Sequence, residues 1–113
     1  MICRGGENVY PREIEEVLYT HKAITDVQVI GIPSEKYGEE VMAWVKLKPG
    51  LSTTPEDLDA FCRQKIAHYK IPKYWKFVEG FPMTATGKVR KVAMREAAIE
   101  ELSLHDAAGI KTS

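Results

Sequence analysis

The sequence lacks the features that mark several common classes of protein. It has only two cysteines, Cys3 and Cys62, which lie far apart and have no second pair, so neither a metal site nor a disulfide framework is indicated. No apolar run approaches the length that spans a membrane, and no signal-peptide pattern is present. A cytoplasmic, reducing location fits this cysteine usage.

An excess of charge of one sign is also lacking. The chain has 113 residues with 16 Lys+Arg and 16 Asp+Glu, so its formal net charge is zero. No global field therefore draws it to nucleic acid or anionic lipid. The length indicates one domain, large enough for a modest core without cross-links. Residues 1–6 are typical of the middle of a protein, so we expect the chain to be a fragment.

Strand and helix signals alternate along the chain. A strand starting at residue 24 is expected to stop at Pro33 and to be followed by a polar turn over 34–40. In order, the other predicted elements are a Gly-Gly turn over 4–8, a helix over about 11–20, a strand over 41–48, a helix from 55, a strand over 74–78 and a helix over 91–102. This order predicts an α+β domain: a small, mostly antiparallel three-stranded sheet packed with helices, with one exposed face and a short N-terminal hairpin or turn. Residues 103–113 are expected to fray.

The most informative stretch is residues 82–91, where Lys88 follows a Thr-x-Thr-Gly turn and precedes a predicted helix. A lone ammonium on a glycine-hinged loop can be aimed at a developing negative charge. A phosphate-binding P-loop shares Gly-Lys but needs a glycine at position 82 and Ser or Thr after the lysine. Pro82 and Val89 occupy those positions. The P-loop interpretation therefore fails.

Two other clusters are candidates for binding. Around Gly5 and Gly6, a backbone without Cβ atoms could approach a ligand closely, although such a pair more often forms a tight turn and nothing else. Four cations lie at the start of the last predicted helix: Lys88, Arg90, Lys91 and Arg95. Cations there oppose the helix dipole, which points to an anionic partner, whereas the alternative is a solvated helix face. His68 is given a structural role at a helix end.

Four blocks, in order, resemble the C-terminal domain of the adenylate-forming (AMP-binding) enzyme superfamily. They are residues 4–15 (from Arg-Gly-Gly-Glu to Glu-Ile-Glu), 31–39 (Gly-Ile-Pro to Tyr-Gly-Glu), 69–72 (Tyr-Lys-Ile-Pro) and 82–95. The resemblance covers residues up to about 102 and is greatest to AMP-forming acyl-CoA synthetases, the fatty-acid–CoA ligases. Residues 61–74 are similar to their medium-chain branch.

This resemblance implies a two-step reaction with ATP, Mg²⁺ and CoA in the full enzyme, where a carboxylic acid is adenylated and then transferred to the CoA thiol. It implies that the domain rotates between steps and that Lys88 enters the active site for the first. It also implies that a loop supports Lys88, and this role falls to Thr84, Thr86 and Gly87. It further implies a CoA-facing surface, made of Arg4, Gly5, Gly6, Glu7, Lys91 and Arg95. The partner is the N-terminal adenylation domain of the same polypeptide. That domain and the hinge are absent here, so this chain alone is not expected to bind a cofactor or to catalyse.

Two alternatives remain open from the sequence. The first is a stand-alone binding or regulatory module of the same fold. The second is a small nucleic-acid-binding domain that uses the cations of 88–95, which the zero net charge disfavours.

Overall fold

The computed structural model describes residues 2–34 and 36–101, which form an α+β fold. The elements are β1 (Ile2–Arg4), β2 (Glu7–Val9), α1 (Pro11–Leu18), β3 (Ile24–Ser34), β4 (Gly38–Leu47), α2 (Pro55–Arg63), a 3₁₀ turn (His68–Lys70), β5 (Tyr74–Phe77) and α3 (Lys91–Glu101). The predicted fold class is confirmed. The tail expected to fray, 103–113, lies outside the described residues.

The sheet is built around β4. β3 pairs with it antiparallel from Ile24↔Leu47 to Ser34↔Gly38. Along the other edge of β4, β1 pairs antiparallel at Arg4↔Gly38 and β5 pairs parallel over Met42 to Val45. β2 completes the sheet by pairing with β1. The three predicted strands are therefore present, and the predicted N-terminal hairpin joins them to make a five-stranded sheet.

The helices start where the sequence signals place them. Pro11 occupies the first turn of α1, whose Ile14 and Leu18 are fully buried. The hydroxyl of Thr54 caps α2 by accepting the Asp57 amide at 3.1 Å. α1 ends two residues before the predicted boundary, because the Thr20 hydroxyl bonds back to a carbonyl of the last turn at 2.6 Å.

The predicted boundary between β3 and β4 is wrong. Pro33 does not end β3, since it pairs with Glu39, and the strand continues to Ser34. Val29 lies four residues earlier, so its amide faces the same edge of β3 as position 33. That amide bonds to a side chain and not to β4. An N–H at position 33 would therefore point to the outer edge of the sheet. Proline, which has none, costs the strand pair no hydrogen bond there. As a result Glu39 and Glu40 belong to β4 and not to a turn.

The expected exposed sheet face is also wrong for the described residues, because helices cover both faces. On one face α1 and α2 pack on alternate strand residues, including Val27, Val29, Val41, Ala43 and Val45. On the other face α3 supplies Met94 and Ala98 to a smaller cluster with Ile30, Ile32, Met42 and Trp44. The strands are apolar on both sides, as expected for a sheet buried between two layers.

Candidate functional site

Lys88 lies on a tight loop, here called the lysine loop (residues 82–90), whose hydrogen bonds are internal except for the bond that the Met94 amide of α3 donates to the Arg90 carbonyl. The Thr84 amide donates to the Lys88 carbonyl at 2.8 Å, and the Lys88 amide donates to the Thr84 hydroxyl at 3.1 Å. The hydroxyls of Thr84 and Thr86 are 2.9 Å apart. Gly87 has a φ of +88°, a conformation in which other L-residues are strained. The structure therefore brings together the residues predicted to support Lys88.

The ammonium of Lys88 is free to meet a ligand. The side chain is exposed, and within the described part of the chain the ammonium has no hydrogen bond or ion pair. Every residue from Met83 to Lys88 is exposed as well. A cation that is not neutralised by its own domain keeps its full charge for an anionic group brought by another molecule or domain.

The other predicted glycine site forms the turn of β1 and β2, here called the glycine hairpin (residues 2–9). Gly5 and Gly6 make a two-residue turn with φ of +58° and +86°, the signs typical of a type I′ hairpin. The Gly5 amide donates to the Tyr37 carbonyl at 2.8 Å. A Cβ on Gly5 would lie 2.9 Å from the Tyr37 ring, whereas one on Gly6 would have no atom within 4 Å. Gly6 and Glu7 thus present an open, exposed tip.

Arg4 is fixed in place by two neighbours. Its Nε donates to Glu40 Oε1 at 2.5 Å, and its guanidinium lies 4.0 Å from the Tyr37 ring centroid. Glu40 is 2% exposed, so Arg4 neutralises a buried carboxylate. The pKa of Tyr37 is lowered, first by a hydrogen bond from Lys36 and then by the nearby charges of Lys36 and Arg4. Arg4 therefore anchors the glycine hairpin, in addition to any contact with CoA.

A cleft of about 440 Å³ opens beside this ion pair. It lies where the β4 edge passes from β1 to β5, and its wall includes Arg4, Glu40, His68, Lys73 and Trp75. Oε2 of Glu40 is buried without a hydrogen-bond partner among the described residues. The cleft is therefore mixed in charge and continuous with the base of the glycine hairpin.

The predicted cluster of four cations divides into two kinds. Lys91 donates to Glu15 Oε2 at 2.8 Å and to the Val29 carbonyl at 3.0 Å. Arg95 donates to Glu39 Oε2 at 3.2 Å. Lys88 and Arg90 have no such pairs with described residues. The role of Lys91 and Arg95 in CoA binding stays a prediction, but each has a partner within the fold.

Glu39 links the two candidate regions. Its Oε1 accepts the Cys3 amide of β1 at 2.9 Å, and its Oε2 accepts Arg95 of α3. A Cβ on Gly31 would lie 2.8 Å from this carboxylate, so glycine leaves the space that Glu39 uses. The helix after the lysine loop and the strand before the glycine hairpin therefore meet at one carboxylate.

Sequence reasoning gave no role to the acids that hold these cations, Glu15, Glu39 and Glu40. Two of them, Glu39 and Glu40, were interpreted as turn residues. The signal was that both directly precede the apolar run that starts at Val41. A carboxylate at the start of a buried strand requires a cation nearby. Arg4 and the basic residues of 88–95 were the available partners.

Other side chains with possible chemistry include two histidines and the buried Cys62. His68 is in the 3₁₀ turn, and His21 lies 3.0 Å from Asp57 and edge-on to Phe61. Burial raises the pKa of the Cys62 thiol to about 11, so this thiol stays protonated at neutral pH. No group of three metal-ligating side chains converges among the described residues. Within the same residues, no helix has both the length and the apolar composition needed to cross a membrane.

Known proteins are similar to this chain in sequence and in fold. The sequence model of a protein family, the AMP-binding enzyme C-terminal domain, matches residues 13–88. YngI of Bacillus subtilis (strain 168) is 56% identical over 104 residues, which is 92% of this chain and 19% of that protein. The human mitochondrial medium-chain acyl-CoA ligase ACSF2 is 47% identical over 104 residues, 92% of this chain and 17% of that protein. A solved fatty acyl CoA synthetase of Mycobacterium tuberculosis superposes with a TM-score of 0.79 at 40% identity, over 86% of this chain and 19% of that chain.

Each comparison covers most of this chain. This chain spans about a fifth of the length of these relatives, so it corresponds to one part of each of them. The family model covers the segment from the first helix to Lys88. By sequence and by fold, the chain belongs to the AMP-binding enzyme C-terminal domain family, and the relatives named here include acyl-CoA synthetases.

Proposed function

We propose that this chain is the C-terminal domain of an AMP-forming acyl-CoA synthetase and that Lys88 acts in the adenylation step. The observation that carries the proposal is the unpaired, exposed ammonium of Lys88 on a loop whose hydrogen bonds are internal. We further propose a medium- or long-chain fatty acid as substrate. Two relatives support this choice, since they are named a medium-chain acyl-CoA ligase and a fatty acyl CoA synthetase.

In the proposed first step, a carboxylate oxygen attacks the α-phosphorus of ATP. The acyl-adenylate forms and the bond to pyrophosphate breaks. Negative charge moves from the carboxylate onto the phosphate oxygens during this transfer. The Lys88 ammonium would donate to those oxygens, and preorganised charge of this kind is a large contribution to catalysis. Magnesium would arrive with the ATP phosphates, and we assign it no ligand from this chain.

In the proposed second step, the CoA thiol attacks the acyl carbon, the thioester forms and AMP leaves. The glycine hairpin would then line the path of the pantetheine arm, with Gly5, Gly6 and Glu7 closest to it. The open space around Gly6 supports close approach of a ligand or a facing domain. Arg4, Lys91 and Arg95 would meet CoA phosphates or the partner domain with the donors that their internal ion pairs leave available.

The proposed partner is the N-terminal adenylation domain of the same polypeptide. A single lysine cannot bind ATP, magnesium and a carboxylate, so the 113-residue chain alone should be inactive. We propose a cytoplasmic location, for which the two unbonded cysteines are the support.

The test is carboxylate-dependent ATP–pyrophosphate exchange. The isolated chain should give none, and the chain joined to an N-terminal domain, its own or that of YngI, should be active. In that enzyme, Lys88→Ala should slow adenylation by about 10²–10³-fold. It should leave thioester formation from preformed acyl-adenylate much less affected. Exchange by the isolated chain, or an unchanged rate in Lys88→Ala, would contradict the proposal. The unchanged rate would favour a non-catalytic module.

A further inference from the structure

The strongest unassigned feature is a three-membered polar contact at the outer edge of β3. Val29 directs its N–H and C=O away from β4. The N–H donates to Glu15 Oε2 at 2.8 Å, and the C=O accepts from Lys91 at 3.0 Å. The same Glu15 oxygen also accepts Lys91 at 2.8 Å. One ion pair therefore binds both outward backbone groups of a single edge residue and ties together α1, β3 and α3.

We propose that Lys91 is a positioning residue for Lys88 and that the Glu15–Val29 contact is its anchor. This inference rests on the function proposed above for Lys88. Lys91 does not touch the reacting atoms in the proposal. It acts by fixing the start of α3, from which the lysine loop projects.

The short distance along the chain makes this coupling direct. Only two residues lie between Lys88 and Lys91, so the Cα atoms of these lysines lie within about 11 Å. Between them, the Arg90 amide donates to the Pro82 carbonyl at 2.8 Å, and Val89 forms a bridge with Met83. The lysine loop is thus a closed unit on its own hydrogen bonds. A displacement of Lys91 would move this unit and the Lys88 ammonium together.

The anchors of the lysine loop to the rest of the domain are of two kinds. Val89 and Phe81, which directly precedes the loop, pack on the smaller core cluster, and packing of this kind has little directional preference. Lys91 supplies the directional contact, with two short hydrogen bonds to fixed acceptors. A cation at the first position of a helix opposes the helix dipole, so its presence there calls for a compensating contact. Glu15 and the Val29 carbonyl provide it.

The first experiment measures amide hydrogen exchange in the 113-residue chain. Lys91→Met should speed exchange at the lysine-loop amides of Thr84, Gly87 and Arg90 by about tenfold, the effect of losing one charged hydrogen bond. The amides of α2 should not change. A matched control is Lys76→Met, which removes the ion pair of Lys76 with Glu101 at the other end of α3. Equal exchange in the two variants would overturn the inference.

A second variant deals with the charge that Lys91→Met leaves behind. The Glu15 side chain is 15% exposed, and an unpaired carboxylate there could destabilise the whole domain. Lys91→Met combined with Glu15→Gln removes that charge and keeps an acceptor for the Val29 amide. The same selective rise in loop exchange is expected. Slow loop exchange in this folded double variant would contradict a positioning role.

The second experiment separates positioning from CoA contact in the two-domain enzyme. Lys91→Met should lower kcat for adenylation by about tenfold with KM for ATP little changed, and Lys91→Arg should recover most of the rate because it can donate to both acceptors. Thioester formation from preformed acyl-adenylate should be slowed much less than adenylation. A loss confined to the thioester step, or equal losses in both steps, would overturn the inference.

Lys88→Ala, measured in the same enzyme, shows which proposal has failed. If Lys88→Ala slows adenylation and Lys91→Met does not, the positioning role is wrong and the proposed function stands. If Lys88→Ala has no effect, the proposed function is wrong. The exchange measurement on the isolated chain then still decides whether Lys91 anchors the loop.

Discussion

The lysine loop and the glycine hairpin are both tight turns with glycines at positive φ, but they are attached to the domain in opposite ways. The glycine hairpin is fixed by bonds to other elements: Gly5 to Tyr37, Arg4 to Glu40, and Cys3 to Glu39. The lysine loop bonds to itself, and its lysine has no partner in the described part of the chain. The comparison indicates that one turn serves as a fixed wall and the other presents a free charge.

This difference matches the chemistry of the two proposed steps. A side chain that stabilises moving charge in another domain has to reach into that domain. Its own domain must therefore leave its charge without a partner. A surface that lines a channel has to keep its shape, so its charges are satisfied internally. Arg4, with both neighbours close, meets the second requirement and Lys88 meets the first.

The largest expected effect is at Lys88 and tests whether charge alone is enough. Lys88→Arg keeps the charge but replaces a compact ammonium by a planar guanidinium with different hydration. Adenylation should stay within about tenfold of the Lys88→Ala rate, that is, far below the parent. Rates of ATP–pyrophosphate exchange measure this. Near-complete recovery by arginine would mean that any cation on the lysine loop suffices.

The second prediction tests whether the glycine hairpin is fixed by its buried ion pair. Arg4→Met leaves the carboxylate of Glu40 buried and unpaired, so the free energy of unfolding should fall by about 3 kcal/mol. Urea denaturation checks this. The control is Arg12→Met, which removes an exposed pair with Glu16 and should cost less than about 0.5 kcal/mol. Equal small losses would show that the hairpin does not depend on Arg4.

The third prediction concerns the open tip of the glycine hairpin. A leucine at Gly6 would meet no atom of this domain, so its side chain would obstruct whatever faces the hairpin. In the two-domain enzyme, Gly6→Leu should depress the thioester step while acyl-adenylate accumulates. The positive φ adds a strain of about 1–3 kcal/mol.

A small residue that tolerates this backbone conformation separates the two causes. Gly6→Asn should keep the melting temperature close to that of the parent and keep most of the thioester rate. A large fall in the Gly6→Leu melting temperature, with both half-reactions lost together, would instead make Gly6 a turn residue alone.

The smallest effect is a titration at the base of the glycine hairpin. The lowered pKa of Tyr37 and the raised pKa of Tyr19, the latter mainly due to burial, predict that Tyr37 ionises first. Because the folded-state pKa of Tyr37 is below the unfolded value of about 10, its ionisation stabilises the fold only at alkaline pH. That contribution is lost as pH falls through the folded-state pKa. NMR titration of the ring signals measures both groups. Arg4→Met should raise the pKa of Tyr37, because it removes a nearby positive charge.

Much of this could be read from the sequence, and the exceptions have a common cause. Periodicity, Pro11 and the Thr54 cap are local signals, and they placed the helices within a few residues. The Gly87-Lys88 turn was likewise predicted from neighbours in the chain. Glu15 and Glu39 contact Lys91 and Arg95 across separations of 76 and 56 residues, which no local pattern encodes. The second covered sheet face was missed for the same reason, since it depends on where α3 packs.

The most direct test of the account is the ratio of the adenylation rate to the thioester rate, measured by single turnover in one two-domain enzyme. Lys88→Ala and Gly6→Leu are compared with the parent. The account predicts that Lys88→Ala lowers this ratio by about 10²-fold or more and that Gly6→Leu raises it. A ratio that stays at the parental value in both variants, with both steps slowed equally, would contradict the assignment of the two turns to separate half-reactions.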